Sequence, residues 1–207
     1  MPPYRLVLDW DGTVTETDSL HMVLLEFGDR GVYDRVEREL GRSLTLHEVI
    51  AAEFETVTAP LDEVVAWCVE HVRVRPGFHE LVAAHLPLIL SSGFHELIEP
   101  ILEREGVEAE ALANRLDPRP DGWRARFRDE AACATCSEAC KRASLPPGPI
   151  AYAGDGASDH CAALAADRVF ARDGLARWLE RRGAPFEPFA DLHDVARALA
   201  ADRVAGS

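Results

Sequence analysis

Basic residues are scarce in this chain: 22 Lys and Arg stand against 36 Asp and Glu, for a formal net charge of −14. A nucleic-acid groove needs a basic surface to meet the phosphate backbone, so no nucleic-acid partner is expected. Long apolar runs are missing as well. None approaches the ~18 residues of a membrane span, and no membrane partner is expected either. The opening stretch Met1–Arg5 has neither the basic nor the apolar region of a secretory signal, which points to the cytoplasm. There is no internal repeat and no low-complexity tract. The five cysteines are an odd number, and in a reducing compartment the default is free thiols. Cys68 and Cys161 occupy apolar helical positions and read as core, whereas Cys133, Cys136 and Cys140 form a cluster.

What is present suffices for one good-sized domain, or a domain with a smaller insert: 207 residues, 47% of them apolar. The stretch Leu6-Val7-Leu8-Asp9-Trp10-Asp11-Gly12-Thr13-Val14 organises the rest. A short strand-forming run carries into two aspartates one residue apart, then a glycine and a threonine. Two carboxylates and a turn thus fall at the carboxyl end of a buried strand, where open α/β sheets bind ligands. An ordinary strand exit also uses Asp and Gly. The pair therefore gains meaning only from the rest of the chain. Trp10, between the aspartates, is expected to pack away from them.

After Tyr4–Leu8 as the first strand, the pattern turns helical from Val14 to about Arg75. One stripe runs from Leu20 to Phe27 and is closed by Gly28; a second runs from Val32 to Leu40 and is closed by Gly41. Thr45-x-x-Glu48 is a capping box that opens a third helix. A fourth follows Pro60. Four short helices with no strand between them predict a small bundle inserted after the first strand. Strand and helix alternate from there. A short helix around Phe78–Val82 leads to the strand Leu86–Leu90, which is expected to stop at Ser91-Ser92-Gly93. The next helix, Phe94–Glu105, contains Pro100, which should kink or end it. Ala111–Leu116 and Trp123–Phe127 flank turn residues and suggest a hairpin. A stiff Pro146–Pro149 connector enters the strand Ile150–Ala153, which ends in Gly154-Asp155-Gly156-Ala157-Ser158-Asp159. Arg168–Ala171 reads as the final strand, with helices at Leu175–Arg182 and Leu192–Ala201.

Parallel strands would bring the tips Asp9, Asp11, Ser91, Asp155 and Asp159 to one edge, with Lys141 just ahead of the third strand. Three or more carboxylates in one crevice cannot all stay ionised without a cation. Oxygen-only ligands suit magnesium better than zinc. A hydroxyl, a lysine and glycine-rich backbone amides are phosphate donors. Together they describe phosphoryl transfer, with one carboxylate free to attack phosphorus. Each residue also has a plainer reading. Lys141 could be a solvated helix lysine, and Ser91 or Asp159 a helix-capping or turn residue.

Asp9-Trp10-Asp11-Gly12-Thr13, then Ser91, Lys141 and Gly154–Asp159, resemble the four ordered motifs of the haloacid dehalogenase superfamily of phosphatases. The resemblance spans nearly the whole chain. It implies an α/β fold: a Rossmann-like parallel-sheet core (1–14 and 76–207) with a small helical cap (15–75) inserted after the first strand. The insert resembles the cap of the phosphoserine-phosphatase-like branch. Ser91-Ser92-Gly93-Phe94, Cys133-x-x-Cys136-x-x-x-Cys140-Lys141 and Phe170-Ala171-Arg172-Asp173 resemble two groups within it. These are the 2-hydroxy-3-keto-5-methylthiopentenyl-1-phosphate phosphatases and the phosphoethanolamine/phosphocholine phosphatases. Lys141 stands only fourteen positions before Asp155, so any helix between them must be short.

The resemblance implies a role for each residue. Asp9 would be the nucleophile and Asp11 the general acid and base. Magnesium would lie between the Asp9 carboxylate, the Asp11 carbonyl and Asp155, with Asp159 in support. Ser91, with Ser92 and Gly93, and Lys141 would hold the phosphoryl group. The implied activity is a magnesium-dependent phosphomonoesterase for a small phosphorylated metabolite. The alternative is a phospho-aspartate signalling module without turnover. Against it stand the helical insert and the second aspartate, which supplies an acid/base that a stable switch does not need. Dehalogenation is disfavoured, because a halide needs no proton from Asp11.

Substrate choice is expected to lie in the cap. Glu16 and Asp18 are candidates to meet an ammonium group at the far end of a phosphoserine, phosphoethanolamine or phosphocholine. They would offer little to a thioether. Both could instead favour the amino end of the helix near Leu20. Arg30, Arg35 and Arg42 are further cap candidates. The cysteine trio could bind zinc, but no fourth ligand is near in sequence, the nearest histidines being His95 and His160. Free, partly buried thiols are the expectation, with a disulfide or redox pair as the other alternative. Oligomeric state is left open.

Overall fold

The computed structural model describes residues 4–205. Met1–Pro3, part of the stretch read for a secretory signal, lie outside the described residues. Seven strands form one sheet: β1 Arg5–Leu8, β2 Leu88–Phe94, β3 Glu110–Asp117, β4 Arg124–Arg126, β5 Ile150–Gly154, β6 Arg168–Ala171 and β7 Glu187–Pro188. Their order is β4-β3-β2-β1-β5-β6-β7. Every neighbouring pair is parallel except β3 with β4, the expected hairpin. The chain builds outward from β1 through β2 and β3, then returns to pair β5 on the other side of β1. That reversal leaves a crevice beyond the carboxyl ends of β1 and β5, the place where such sheets bind ligands.

Side-chain alternation divides the core between the two faces of the sheet. Leu6, Leu8, Ile89, Ala151 and Ala153 belong to one apolar cluster, and Val7, Leu88, Leu90, Ile150 and Tyr152 to the other. The second is covered by α7 His160–Ala163 and α8 Asp173–Arg182. The first is covered by α5 Phe78–His85, α6 His95–Glu105 and α9 Leu192–Ala205, together with the inserted helices. No helix among the described residues is long and apolar enough to cross a membrane.

The insert consists of α1 Ser19–Phe27, α2 Arg30–Val36, α3 Leu46–Phe54 and α4 Leu61–His71. The capping box at the start of α3 is present, with the Thr45 side chain bonded to the Glu48 N–H and Glu48 reaching back to the Thr45 N–H at 2.8 Å. The insert shares its core with the sheet: Val23, Leu24, Ile50, Phe54, Val64 and Cys68 are buried in the same cluster as Leu8 and Trp10. Trp10 packs into this core and meets Phe78 edge-on, turned away from the aspartates that flank it in sequence.

Several expected boundaries shift. The second strand starts at Leu88 and runs on through Ser91-Ser92-Gly93 to Phe94, with a register shift against β3 after Leu90. The polar trio therefore marks the site within the strand, not its end. Leu86 is no strand residue; at φ 46° it terminates α5 in the left-handed region and stands 67% exposed. The second inserted helix ends at Val36, and a tight turn over Glu37–Glu39 carries the remaining stripe to Leu40. Pro100 does not end α6. Arg168–Ala171 is not the last strand, because the two-residue β7 adds to its edge. Only a single tight turn, Lys141–Ser144, fits between Lys141 and the connector to β5, as the short spacing requires.

Candidate active site

Asp9 sits at the tip of β1, buried, with its N–H bonded to Ala153 O of β5 at 2.9 Å. The parallel pairing of β1 with β5 sets Asp155 and Asp159 beside it. One ligand oxygen from each of Asp9, Asp155 and Asp159 lies within 4.8 Å of the others. Lys141, also buried, donates to Asp9 Oδ1 and, at 2.7 Å, to Asp159 Oδ1. Lys141 is the only lysine of the chain. In a protein that otherwise uses arginine throughout, this compositional signal already singles it out. Asp159 accepts three further bonds, from Tyr152 Oη at 2.6 Å and from the N–H groups of Asp155 and Gly156 at 2.9 and 3.0 Å. Both its oxygens are thereby engaged. Its chief task in this geometry is to hold Lys141 and shape the Asp155 turn.

Burial is the largest influence on all of these groups. It pushes the Asp9 carboxyl well above the ordinary range, helped by Asp159 and opposed by Lys141. It lifts Asp155 to about 6, again with Asp159 contributing. Burial would raise Asp159 too, but the Lys141 charge and the bonds from Lys141 and Tyr152 outweigh it and hold the carboxyl below the usual value. Burial opposes the charge on Lys141, yet Asp159 and Asp9 keep it raised. Three carboxylates facing one ammonium leave a surplus of negative charge in a largely buried site. The donors are all oxygen, and at Gly12 (φ +73°) a Cβ would collide with the Asp155 carboxylate. Only glycine lets the β1 loop close over these oxygens. The set fits a hard divalent cation such as magnesium.

Asp11 does not join that cluster with its side chain. Its Oδ1 accepts the Ser19 N–H at 2.9 Å and the Ser19 hydroxyl, while Oδ2 faces Gly93. Burial, then the charge of Asp18, raises its carboxyl to about 7 despite the Ser19 bonds. A Cβ on Gly93 would stand 3.0 Å from Asp11 Oδ2 and 3.1 Å from Ser91 Oγ, so the space between the two depends on glycine. Ser91 is buried and its hydroxyl accepts the Gly93 N–H at 2.8 Å. Asn114 ties this bend down, donating to Ser92 O at 2.8 Å and accepting the Arg128 N–H at 3.0 Å.

Asp9, Asp11, Asp155, Ser92 and Gly93 line a cleft of ≈ 220 Å³ beneath the insert. An adjoining cavity of ≈ 440 Å³ holds Ser91 and Lys141 and shares Leu40, Leu46, Ser92, Ala157 and Ser158 with it. Of the cap candidates, Asp18 lines the cleft while also capping α1 through the His21 N–H at 2.8 Å. Glu16 is exposed and outside the lining, as are Arg30, Arg35 and Arg42.

Several contributors were not singled out in the sequence. Ser19 and Tyr152 hold the Asp11 and Asp159 carboxylates. His21, Tyr33, Glu37 and Glu53 form the far wall of the cleft. Glu53 is buried with Oε1 unpaired, and burial, then Glu37 and Asp18, raises its carboxyl to about 8. A charged residue at an inward position of α3 was the available signal. Arg75 is a further case. Buried, and with no carboxylate bonded to it among the described residues, it donates to five carbonyls: Gly12 and Thr13 at 2.8 Å, Thr15 at 3.0 Å, Glu16 and Ala190 at 3.3 Å.

The cysteine trio also has company. Cys161, which sequence position marked as plain core, turns its Sγ to within 3.8 Å of Cys133 Sγ, and one sulfur each from Cys133, Cys136, Cys140 and Cys161 lies within 4.8 Å of the others. The expectation that no fourth ligand stands near is thus overturned. Sequence distance hid it, because β5 returns the chain to the same place. No disulfide joins any of the four.

A family model described as haloacid dehalogenase-like hydrolase matches residues 6–164. A 2-hydroxy-3-keto-5-methylthiopentenyl-1-phosphate phosphatase from Bacillus cereus is 25% identical, covering 94% of this chain and 95% of its own length. The enzyme of that name from Bacillus anthracis matches to the same extent. Among solved structures, a substrate-bound phosphoserine phosphatase superposes with a TM-score of 0.70 at 16% identity, covering 94% of this chain and 98% of its own. Phosphoserine phosphatase from T. onnurineus gives 0.68 at 22% identity, covering 95% and 94%. These likenesses place the sheet and insert in one fold, and the curated relatives are phosphatases. Since the family model runs from β1 past the Asp155 turn, over most of the chain, this protein is an enzyme of the haloacid dehalogenase-like hydrolase family.

Proposed function

We propose that this hydrolase is a magnesium-dependent phosphomonoesterase working through an aspartyl-phosphate on Asp9. The observation that carries the reading is the pairing at the tip of β1: Asp9 is gripped by Lys141, and Asp11, two residues on, lines the same cleft. A nucleophile with an acid/base beside it serves turnover, which a phospho-aspartate switch does not need. An Asp9 oxygen attacks phosphorus as the ester P–O bond breaks, and Asp11 gives its proton to the leaving oxygen. Asp11 then takes a proton from water, whose oxygen attacks phosphorus and frees Asp9 and inorganic phosphate. Lys141 and Ser91 hold phosphoryl oxygens, and Lys141 offsets the charge of Asp9. Asp9, Asp155 and the Asp11 carbonyl would hold magnesium, with Asp159 in support, and the ion would neutralise phosphate charge that otherwise repels the nucleophile.

Residues 15–75 act as the cap in this reading, and 1–14 with 76–207 as the catalytic core. Support comes from the crossing point, where Thr15 bridges Val74 and the Glu16 N–H bonds Arg73 O at 2.9 Å. The chain enters and leaves the insert side by side. For the substrate, Asp18, Glu37 and the unpaired Glu53 oxygen favour an ammonium group opposite the phosphate. Among the described residues no Lys or Arg lines this cleft, but Arg128, whose Nη1 is buried and unpaired, lines the adjoining cavity, so phosphoserine stands beside phosphoethanolamine as an amino-bearing candidate. A second reading rests on Leu20, Leu24, Leu40, Leu46, Val49 and Ile50, an apolar side of the cleft that suits the thioether tail of the curated relatives' methylthiopentenyl phosphate.

Release of inorganic phosphate from phosphoethanolamine, phosphocholine, phosphoserine, a methylthiopentenyl phosphate and an aryl phosphate, with and without magnesium, tests the proposal. Magnesium-dependent release, blocked by beryllium fluoride as a mimic of the phosphoryl group, is expected. No release from any ester, or indifference to beryllium fluoride, would defeat the aspartyl-phosphate route. Asp18→Ala should raise KM for the amino-bearing ester far more than for the aryl phosphate. Equal effects would leave Asp18 as the cap of α1 and the thioether substrate ahead.

A further inference from the structure

We propose that Cys133, Cys136, Cys140 and Cys161 form a tetrathiolate zinc site that fastens the loop bearing Lys141 to the segment bearing Asp159. The assignment is independent of the phosphatase reading. Four thiolates around zinc with Zn–S of about 2.3 Å form a tetrahedron whose edges are about 3.8 Å. The Cys133 and Cys161 sulfurs are 3.8 Å apart, and one sulfur from each of the four residues falls within 4.8 Å of the rest. That spread surrounds one ion. It is too compact for a bridged iron–sulfur cluster, whose four cysteine sulfurs are spread around two or four irons and not around one ion.

The backbone of the loop is folded for this purpose. Cys133-Ala134-Thr135-Cys136 closes a tight turn, with the Ser137 N–H on Cys133 O at 2.8 Å and the Cys133 N–H on Glu138 O at 2.9 Å. Ser137 takes the left-handed conformation at φ 64° to complete it. The turn aims the Thr135 N–H at Cys133 Sγ, 3.4 Å away, a donor placed to stabilise a metal-bound thiolate. A Cys-x-x-Cys turn joined by two cysteines from elsewhere is a recurrent way to build a closed structural zinc site.

The location explains what the ion would do. Residues 127–140 carry neither helix nor strand, and this segment delivers the lysine that bonds Asp9. Cys140 directly precedes Lys141, and Cys161 follows Asp159 by two residues. Zinc would therefore lock together the two stretches whose side chains meet in the 2.7 Å Lys141–Asp159 ion pair. A loop with little core of its own gains its order from the metal.

The test is the metal content of the full chain, purified under reducing conditions without chelator and measured by plasma mass spectrometry. One zinc per chain is expected, retained through dialysis and released when a mercurial reagent blocks the thiols. Growth with cobalt should give the visible bands of a tetrahedral cobalt thiolate. The Cys133→Ser/Cys136→Ser pair should lose the zinc, while Cys68→Ser keeps it. Hydrogen exchange over residues 128–146 should rise when zinc is removed from the wild type, a readout that does not require the variant to fold. Wild-type protein that is folded yet holds no zinc and takes up no cobalt would overturn the assignment. So would iron at one per chain, or zinc that survives the double substitution.

Discussion

Ser19 donates both its backbone N–H, at 2.9 Å, and its hydroxyl to a single oxygen of Asp11, Oδ1. The other oxygen, facing Gly93, is left as the one that can exchange a proton with a ligand. Ser19 begins α1, so the first turn of the insert positions the Asp11 carboxylate that the proposed mechanism uses as acid and base. Ser19→Ala removes the hydroxyl bond and should lower kcat by about tenfold, in line with ~1.5 kcal/mol for a bond to a charged group. The loss should be greater for an alkyl phosphate, whose leaving oxygen needs the proton, than for an aryl phosphate, with KM little changed. Equal loss on both esters would show that Ser19 serves only the helix start.

Asp9→Asn should reduce turnover by at least about 10³-fold with the fold intact, because in the proposed mechanism Asp9 alone forms the bond to phosphorus while Asp155 and Asp159 serve the metal and Lys141. Asp11→Asn should cost about 10²–10⁴-fold, most for poor leaving groups. Steady-state kinetics on an alkyl and an aryl ester, beside circular dichroism, checks both. An Asp9→Asn protein with more than a trace of carefully purified activity would rule the mechanism out.

Arg75 bonds five carbonyls, four of them in the Gly12–Glu16 loop. Arg75→Met keeps the packing but strands these acceptors, and should cost about 3 kcal/mol or more. At about 2–4 °C per kcal/mol for a chain of this size, the melting temperature should drop visibly. An unchanged melting curve would mean that water replaces the guanidinium without penalty.

Glu53 gives a pH signature. Its folded carboxyl, raised to about 8 by burial and then by Glu37 and Asp18, holds a proton that the unfolded chain releases near 4.5. Between those values the folded state binds more protons, so stability is full below the lower value and falls as pH rises through the higher one. Glu53→Gln cannot ionise. Its melting temperature should match the wild type near about pH 4 and exceed it near about pH 9. Parallel curves for the two proteins across that range would refute the assignment.

The local elements, and the residues gathered near the strand tips, were legible in the order of amino acids alone. Apolar runs named five of the seven strands and one hairpin partner, capping and breaking residues bounded the helices, and Asp9, Asp11, Asp155 and Asp159 stood at or just past the strand ends where a parallel sheet gathers its ligands, with Ser91 and Lys141 named beside them. These are signals carried by neighbours in the chain, and strand period and turn chemistry are local physics. Tertiary structure decided what depends on contacts between distant residues. Ser91–Phe94 stays in the sheet because β3 offers it partners, although its composition reads as a stop. Cys161 meets Cys133 only because β5 and α7 bring the chain back to the loop it left 28 residues before. Ser19 and Tyr152 joined the site by bonding Asp11 and Asp159, and Glu53 by its burial in the cleft near the charges of Glu37 and Asp18, and burial is a property of the packed molecule that no local pattern records.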